Sequence, residues 1–187
     1  MYKLGIIGII LGFSFYQQQE KGITSSNIEY MVNDSTPEYT KIGYYKSFKC
    51  DIEFLFSNTK NSKSISAIQR KNYIGFLEKQ NLLTPEILNK IFEYYKGAYK
   101  DYKTGWTMAG NISEAELEKY LPKPTTAENL KKFITPAVIH IQNPKDAVEG
   151  TIGIEFDCTW DEVNGLGILI KNWKVSQVSI AEIAYFF

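Results

Sequence analysis

Thr151-Ile152-Gly153-Ile154-Glu155-Phe156-Asp157-Cys158-Thr159-Trp160 is the stretch from which the fold is read. Ile152, Ile154, Phe156, Cys158 and Trp160 occupy one phase, and Glu155 and Asp157 the other. Successive side chains of a strand point to opposite faces, so this alternation predicts a strand with one buried face. Asp161-Glu162-Val163-Asn164-Gly165 reads as a turn, because an Asn-Gly pair accepts positive φ at low cost. Leu166 to Ile170 returns as a second strand, Lys171-Asn172-Trp173 turns again, and Lys174 to Ile180 supplies a third. The C-terminal fifth of the chain is an antiparallel meander.

Upstream, Phe48 to Phe56 alternates in the same way, with Phe48, Cys50, Ile52, Phe54 and Phe56 on one side and Lys49, Asp51 and Glu53 on the other. Ile42-Gly43-Tyr44-Tyr45 offers it a partner strand, and residues 57–62 read as a turn. Ser66 to Lys79 is expected as a helix with Ile74 and Leu77 on one face. A second helix is expected to start at Thr84 as N-cap with Pro85 in the first turn, helped by a Leu83–Leu88 staple. Its apolar stripe runs from Ile87 and Leu88 through Ile91, Phe92, Tyr95, Ala98 and Tyr99 to Tyr102, and Thr104-Gly105 ends it. Ser113 with Glu116 forms a capping box for a short helix, and Thr125 with Glu128 marks another. Pro136 then forces an extended chain, and Ala137 to Ile141 reads as a strand. The expected fold class is α+β: an antiparallel sheet with a C-terminal β-meander packed against several short to medium helices, as a single domain over residues 41–187.

Composition narrows the function classes. The 187 residues balance 21 Lys and Arg against 21 Asp and Glu, so no whole-chain electrostatic footprint for nucleic acid exists. Arg70 is the one arginine, and lysine poorly replaces the planar guanidinium fork that reads phosphate or guanine. His140 is the one histidine, which removes a His-rich metal site and leaves any Ser-His or Cys-His chemistry to a single residue on an apolar strand, where a half-exposed structural position is expected. Cys50 and Cys158 are far apart in the chain and read as small buried hydrophobes; in an exported protein they could pair, but sequence does not bring them within reach. No cofactor is expected.

Leu4 to Phe15 is a twelve-residue uncharged apolar run behind Lys3. A spanning helix needs roughly 20 apolar residues, so the run suits the core of a secretory signal better than a membrane span. Residues 1–20 are therefore expected as a signal peptide or apolar N-terminal segment, with an exported or periplasmic location favoured over a cytoplasmic one. A buried strand is the competing reading. Residues 21–40 read as a polar linker.

Two sets of residues carry candidate chemistry. Asp157, Asp161 and Glu162 could converge at a hairpin end and hold a hard cation or share a proton. As a calcium loop the segment fails, because Glu162 stands where the EF-hand needs glycine. Tyr44, Tyr45, Tyr94 and Trp173 are aromatics that the strand and helix phases leave unassigned, and exposed aromatics make good interface anchors.

Phe156-Asp157-Cys158-Thr159-Trp160-Asp161-Glu162, then Asn164-Gly165-Leu166-Gly167, Lys174-Val175 and Ile183-Ala184, resembles the C-terminal pattern of an uncharacterised bacterial domain-of-unknown-function family. That pattern runs roughly Phe-Asp-Cys-x-Trp-Asp-x-Glu-His-Gly-Leu-Gly, followed by a strand, a Lys-Val strand and a terminal Asp-Ile-Ala stretch. Gly43-Tyr44-Tyr45-Lys46-Ser47 resembles the family's opening hairpin, so the likeness spans about residues 41–187. Val163-Asn164-Gly165 stands in place of Glu-His-Gly, which removes any role of that histidine here. The resemblance implies no established activity; by analogy of size it suggests small immunity-like or partner-binding proteins. The expected function is a non-enzymatic module that binds another protein, with no nucleic acid and no membrane beyond the signal. The alternative is a small metal-dependent hydrolase using Asp157, Asp161 and Glu162, and a structural export-associated protein is a third reading.

Overall fold

The computed structural model describes residues 29–33, 36–57, 64–109, 112–143 and 145–185. In chain order the elements are β1 (Glu29–Asn33), β2 (Thr36–Tyr45), β3 (Cys50–Ser57), α1 (Ala67–Ala109), α2 (Glu114–Tyr120), α3 (Ala127–Leu130), β4 (Ile134–Ile141), β5 (Ile152–Cys158), β6 (Leu166–Lys171) and β7 (Lys174–Ser179). Short 3-10 turns occupy Lys131–Phe133 and Ala181–Ala184. The seven strands form one sheet whose spatial order is the chain order. Every junction is antiparallel except β3–β4, which is parallel from Glu53↔Val138 to Phe56↔Ile141. The long α1 segment carries the chain back across the sheet between them, as a parallel pair requires. The expected α+β class and C-terminal meander are present.

Three local expectations need correction. The stretch read as a linker contributes β1 and the first half of β2. The turn-forming composition of residues 22–37 hid the two strands. The two helices expected around residues 66–102 are one helix of 43 residues, with Thr84 and Pro85 inside it. Pro85 is exposed, as is Asn81, whose carbonyl loses its amide partner and can be hydrated. Thr84 is buried instead of capping, and its hydroxyl donates to the Gln80 carbonyl at 2.6 Å. Ile74 lies on the outer side, 37% exposed. The core stripe of this half of α1 is Gln69, Asn72, Tyr73, Phe76 and Gln80, continuing through Leu83, Ile87, Ile91 and Tyr95.

The amides on that stripe are fully used. Gln69 Nε2 donates to the carbonyls of Ser57 and Gln142, both at 2.7 Å, joining the ends of β3 and β4. Asn72 donates to the carbonyls of Val148 and Thr151 at 3.0 and 3.2 Å and accepts from the Gly150 amide at 2.8 Å. Gln80 accepts from the Lys46 amide at 2.7 Å and donates to the Tyr44 carbonyl at 3.3 Å, closing the β2–β3 turn. Glu86 accepts from the Val175 amide of β7 at 3.1 Å. Against this stripe pack Ile52, Phe54, Phe56, Ile139, Ile152, Ile154, Phe156, Ile168 and Ile170, all buried.

The β6–β7 turn has Asn172 and Trp173 both at positive φ, 52° and 58°. A left-handed conformation costs a non-glycine residue about 1–2 kcal/mol. It is offset by the Trp173 amide donating to the Gly150 carbonyl at 3.0 Å and by the indole lying on Gly75 of α1, where a Cβ would collide with the ring.

On the opposite face of the sheet, Gly153 and Gly167 admit the C-terminal turn directly onto the strand backbones. A Cβ at Gly153 would run into the Ala184 backbone, and one at Gly167 into the Ile180 carbonyl at 2.7 Å. Ala184 is completely buried there. Gly153→Val is expected to lower stability by about 1–3 kcal/mol through overpacking, read as a lower urea midpoint with the slope retained. Asn72→Ala takes the side-chain partner from the buried Gly150 amide and Thr151 carbonyl and is expected to cost about 1–3 kcal/mol in the same assay. A change under about 0.5 kcal/mol in either would contradict the packing described.

Candidate functional site

The three carboxylates singled out by sequence do not converge. Asp157 projects from β5 on the face away from α1, opposite Thr135 of β4. Asp161 organises the β5–β6 turn: its Oδ1 accepts from the amide of Asn164 at 3.1 Å and from that side chain's Nδ2 at 2.9 Å. Asn164 in turn accepts through its carbonyl from the Ala181 amide at 3.0 Å, so this turn also fastens the C-terminal segment. Glu162 is exposed in the turn. Among the described residues no group of three His, Cys, Asp or Glu side chains is placed to hold a metal ion. Asp161 and Asn164 are turn formers, the role sequence reasoning assigns to Asn164.

The aromatic candidates do not form a patch either. Tyr45 is in the core, its hydroxyl bonded to that of Thr84 at 3.1 Å and its pKa pushed up to about 12 by burial. Trp173 is seated on Gly75 and Gly150, with the Lys79 ammonium 5.8 Å from its ring. Tyr94 is half-buried on α1 beside Tyr102. Tyr44 is half-buried on β2, on the strand face directed away from α1, paired with Asp51.

That face is the arrangement that sequence reasoning passed over. Ile52, Phe54 and Phe56 point to α1, so Asp51, Glu53 and Leu55 point the other way. Register places Leu55 beside His140, which in turn pairs with Gly153 on β5, and Glu53 between Ile42 on β2 and Val138 on β4. The C-terminal turn covers β5 and β6, leaving Thr40, Ile42, Tyr44, Asp51, Glu53, Leu55, Val138 and Asp157 partly or fully exposed. Ile42 is 57% exposed.

His140 stands at the boundary between the covered and open halves. It is buried rather than half-exposed, its Nε2 lies 2.5 Å from Glu155 Oε1, and its ring sits 5.5 Å from that of Tyr185. The tautomer that donates from Nε2 gives Glu155 a charge-assisted hydrogen bond. The bond joins β4 to β5, and Tyr185 of the C-terminal segment lies beside the ring.

A shallow depression of about 590 Å³ opens where β3 and β4 part below their last paired residues. Phe48, Cys50, Ile134 and Pro136 form its floor, with Asn129, Lys131 and Lys132 at the rim. Burial raises the Cys50 thiol above its ordinary range, and the neighbouring Asp51 charge adds to this. Both cysteines are free, and burial pushes the Cys158 thiol up to about 12. Neither thiol is a ready nucleophile at neutral pH. The neutral Cys158 thiol is favoured in the folded chain, so its stabilisation is complete below about pH 9, the ordinary value, and is lost as the pH rises toward 12. The urea midpoint should fall over that window, less steeply in Cys158→Ala. Native Cys158 should resist thiol reagents at pH 8 until urea unfolds the chain. Rapid native labelling at Cys158 would contradict its placement.

This chain matches a model of a family described as being of unknown function. No curated protein and no solved structure matches it. The likeness read from the C-terminal motif extends further upstream than residue 41, in keeping with the strands found before that point: residues 23–186 match the family described as "Domain of unknown function (DUF6985)", and the chain belongs to that family.

Proposed function

We propose that this chain is a non-enzymatic protein-binding module and that it engages its partner with the open half of the sheet face away from α1. The supporting observation is the asymmetry of the sheet. Over β3 to β6 one face packs against α1, and the other is covered by the C-terminal turn only over β6 and the Gly153 end of β5. What is left over β2 to β4 is a flat strand surface bearing Ile42, Leu55 and Val138 among polar neighbours. Flat mixed surfaces with an apolar centre are what protein interfaces use, whereas small-molecule sites are concave. The separation of Asp157, Asp161 and Glu162 gives the hydrolase reading no support. The apolar run at residues 4–15 keeps export as the favoured setting, and no helix of the described residues is long and apolar enough to cross a membrane.

Ile42→Arg puts a charge on the β2 side of this surface without touching the core. A tagged full-length chain is expected to retain one stoichiometric protein from native lysate, and the Ile42→Arg variant, melting within a degree or two of the parent, to lose at least about tenfold of it. Equal retention by the two would place the interface elsewhere and overturn the proposal.

A further inference from the structure

The open face has a charge pattern that states what its partner must look like. Asp51 and Glu53 stand two residues apart on β3, about 7 Å along the strand. Glu155 and Asp157 repeat that spacing on β5. Between the two acidic rows runs β4, presenting Val138, and the rows are two strand spacings, about 10 Å, apart. Of the residues that β2 to β5 direct to this face from position 40 onward, none is Lys or Arg. Among the described residues Asp51, Glu53 and Asp157 have no ion-pair partner, and Glu155 is engaged by His140. Exposed basic residues lie off this strand surface, among them Arg70, Lys71, Lys90, Lys96 and Lys100 on α1, where Glu78, Glu93 and Asp101 are exposed as well. A chain of zero net charge therefore presents a locally acidic sheet face.

From this charge complementarity, and resting on the docking reading above, the geometry points to a basic protein segment as the occupant: lysines or arginines on both sides, over the two acidic rows, and an apolar side chain between them on Val138. Such a segment satisfies the carboxylates and covers the apolar strip at once. A phosphate backbone or an anionic lipid surface meets like charge here and is repelled.

The test uses the isotope-labelled full-length chain and two synthetic peptides of equal length, one alternating lysine with valine and the other glutamate with valine. The lysine peptide is expected to shift the amide signals of β2 to β5, and raising the salt from about 0.05 to 0.3 M should weaken it several-fold. The near-isosteric double variant Asp51→Asn/Glu53→Gln should bind it about fivefold less well while keeping the parent's amide spectrum away from β3. Shifts of the same amides by both peptides equally, with no loss in the double variant, would keep the face as a docking surface and overturn the basic occupant. No shift of these amides by either peptide would overturn both. Shifts confined to other elements would also overturn both.

Discussion

The structure depends on how a helix of 43 residues is held across a seven-stranded sheet. Apolar contact fixes its height above the sheet but is tolerant of sliding and rotation. Gln69, Asn72 and Gln80 supply the missing restraint. Each reaches, from one stripe of α1, a backbone group at a strand end: β3 and β4 for Gln69, the approach to β5 for Asn72, and the β2–β3 turn for Gln80. Buried backbone carbonyls must find donors, and here the helix provides them. The parallel β3–β4 junction, the one break in an otherwise antiparallel sheet, is closed by Gln69 itself.

With α1 locked to one face, the rest of the molecule is organised by what the other face must do. Gly153 and Gly167 strip side chains from adjacent strands, and the C-terminal turn lies on the exposed backbone. Asn164 fastens it through the Ala181 amide, and the His140 ring lies against Tyr185. Coverage stops at β4 because β3 carries Asp51 and Glu53, which cannot be buried without partners. The boundary of the open surface is thus set by charge as much as by chain length.

Much of this was legible in the residues. Period-two alternation located β3 and β5, and the Asn-Gly turn placed β6 after β5. The capping box at Ser113 and Glu116 is formed as expected. The failures share a cause: local signals have a tertiary meaning that one segment cannot show. Thr84-Pro85 is a good helix start in isolation, yet the stripe of core residues continues through it. Gln69, Asn72 and Gln80 look like solvent-facing polar residues until the strand ends they serve are in place. Ile74 seemed the core residue for the same reason. Gly153 and Gly167 look like flaws in strands until the C-terminal turn is seen against them. The open face was half legible, since the acids at 51, 53, 155 and 157 already share the polar phase. What sequence lacked was the register that sets the two rows either side of β4.

That register changes what zero net charge means. Averaged over the chain, 21 cations against 21 anions give no long-range field and no preference for a charged partner. A two-layer fold, however, separates the contributions by about the thickness of a helix and a sheet, comparable with a Debye length of about 8–10 Å at physiological salt. A partner approaching the sheet face feels the acidic rows more than the mixed charges of the helix behind them. Selectivity by sign can therefore exist at a surface of a neutral protein, and it arises from the alternation that buried the other face of the same strands.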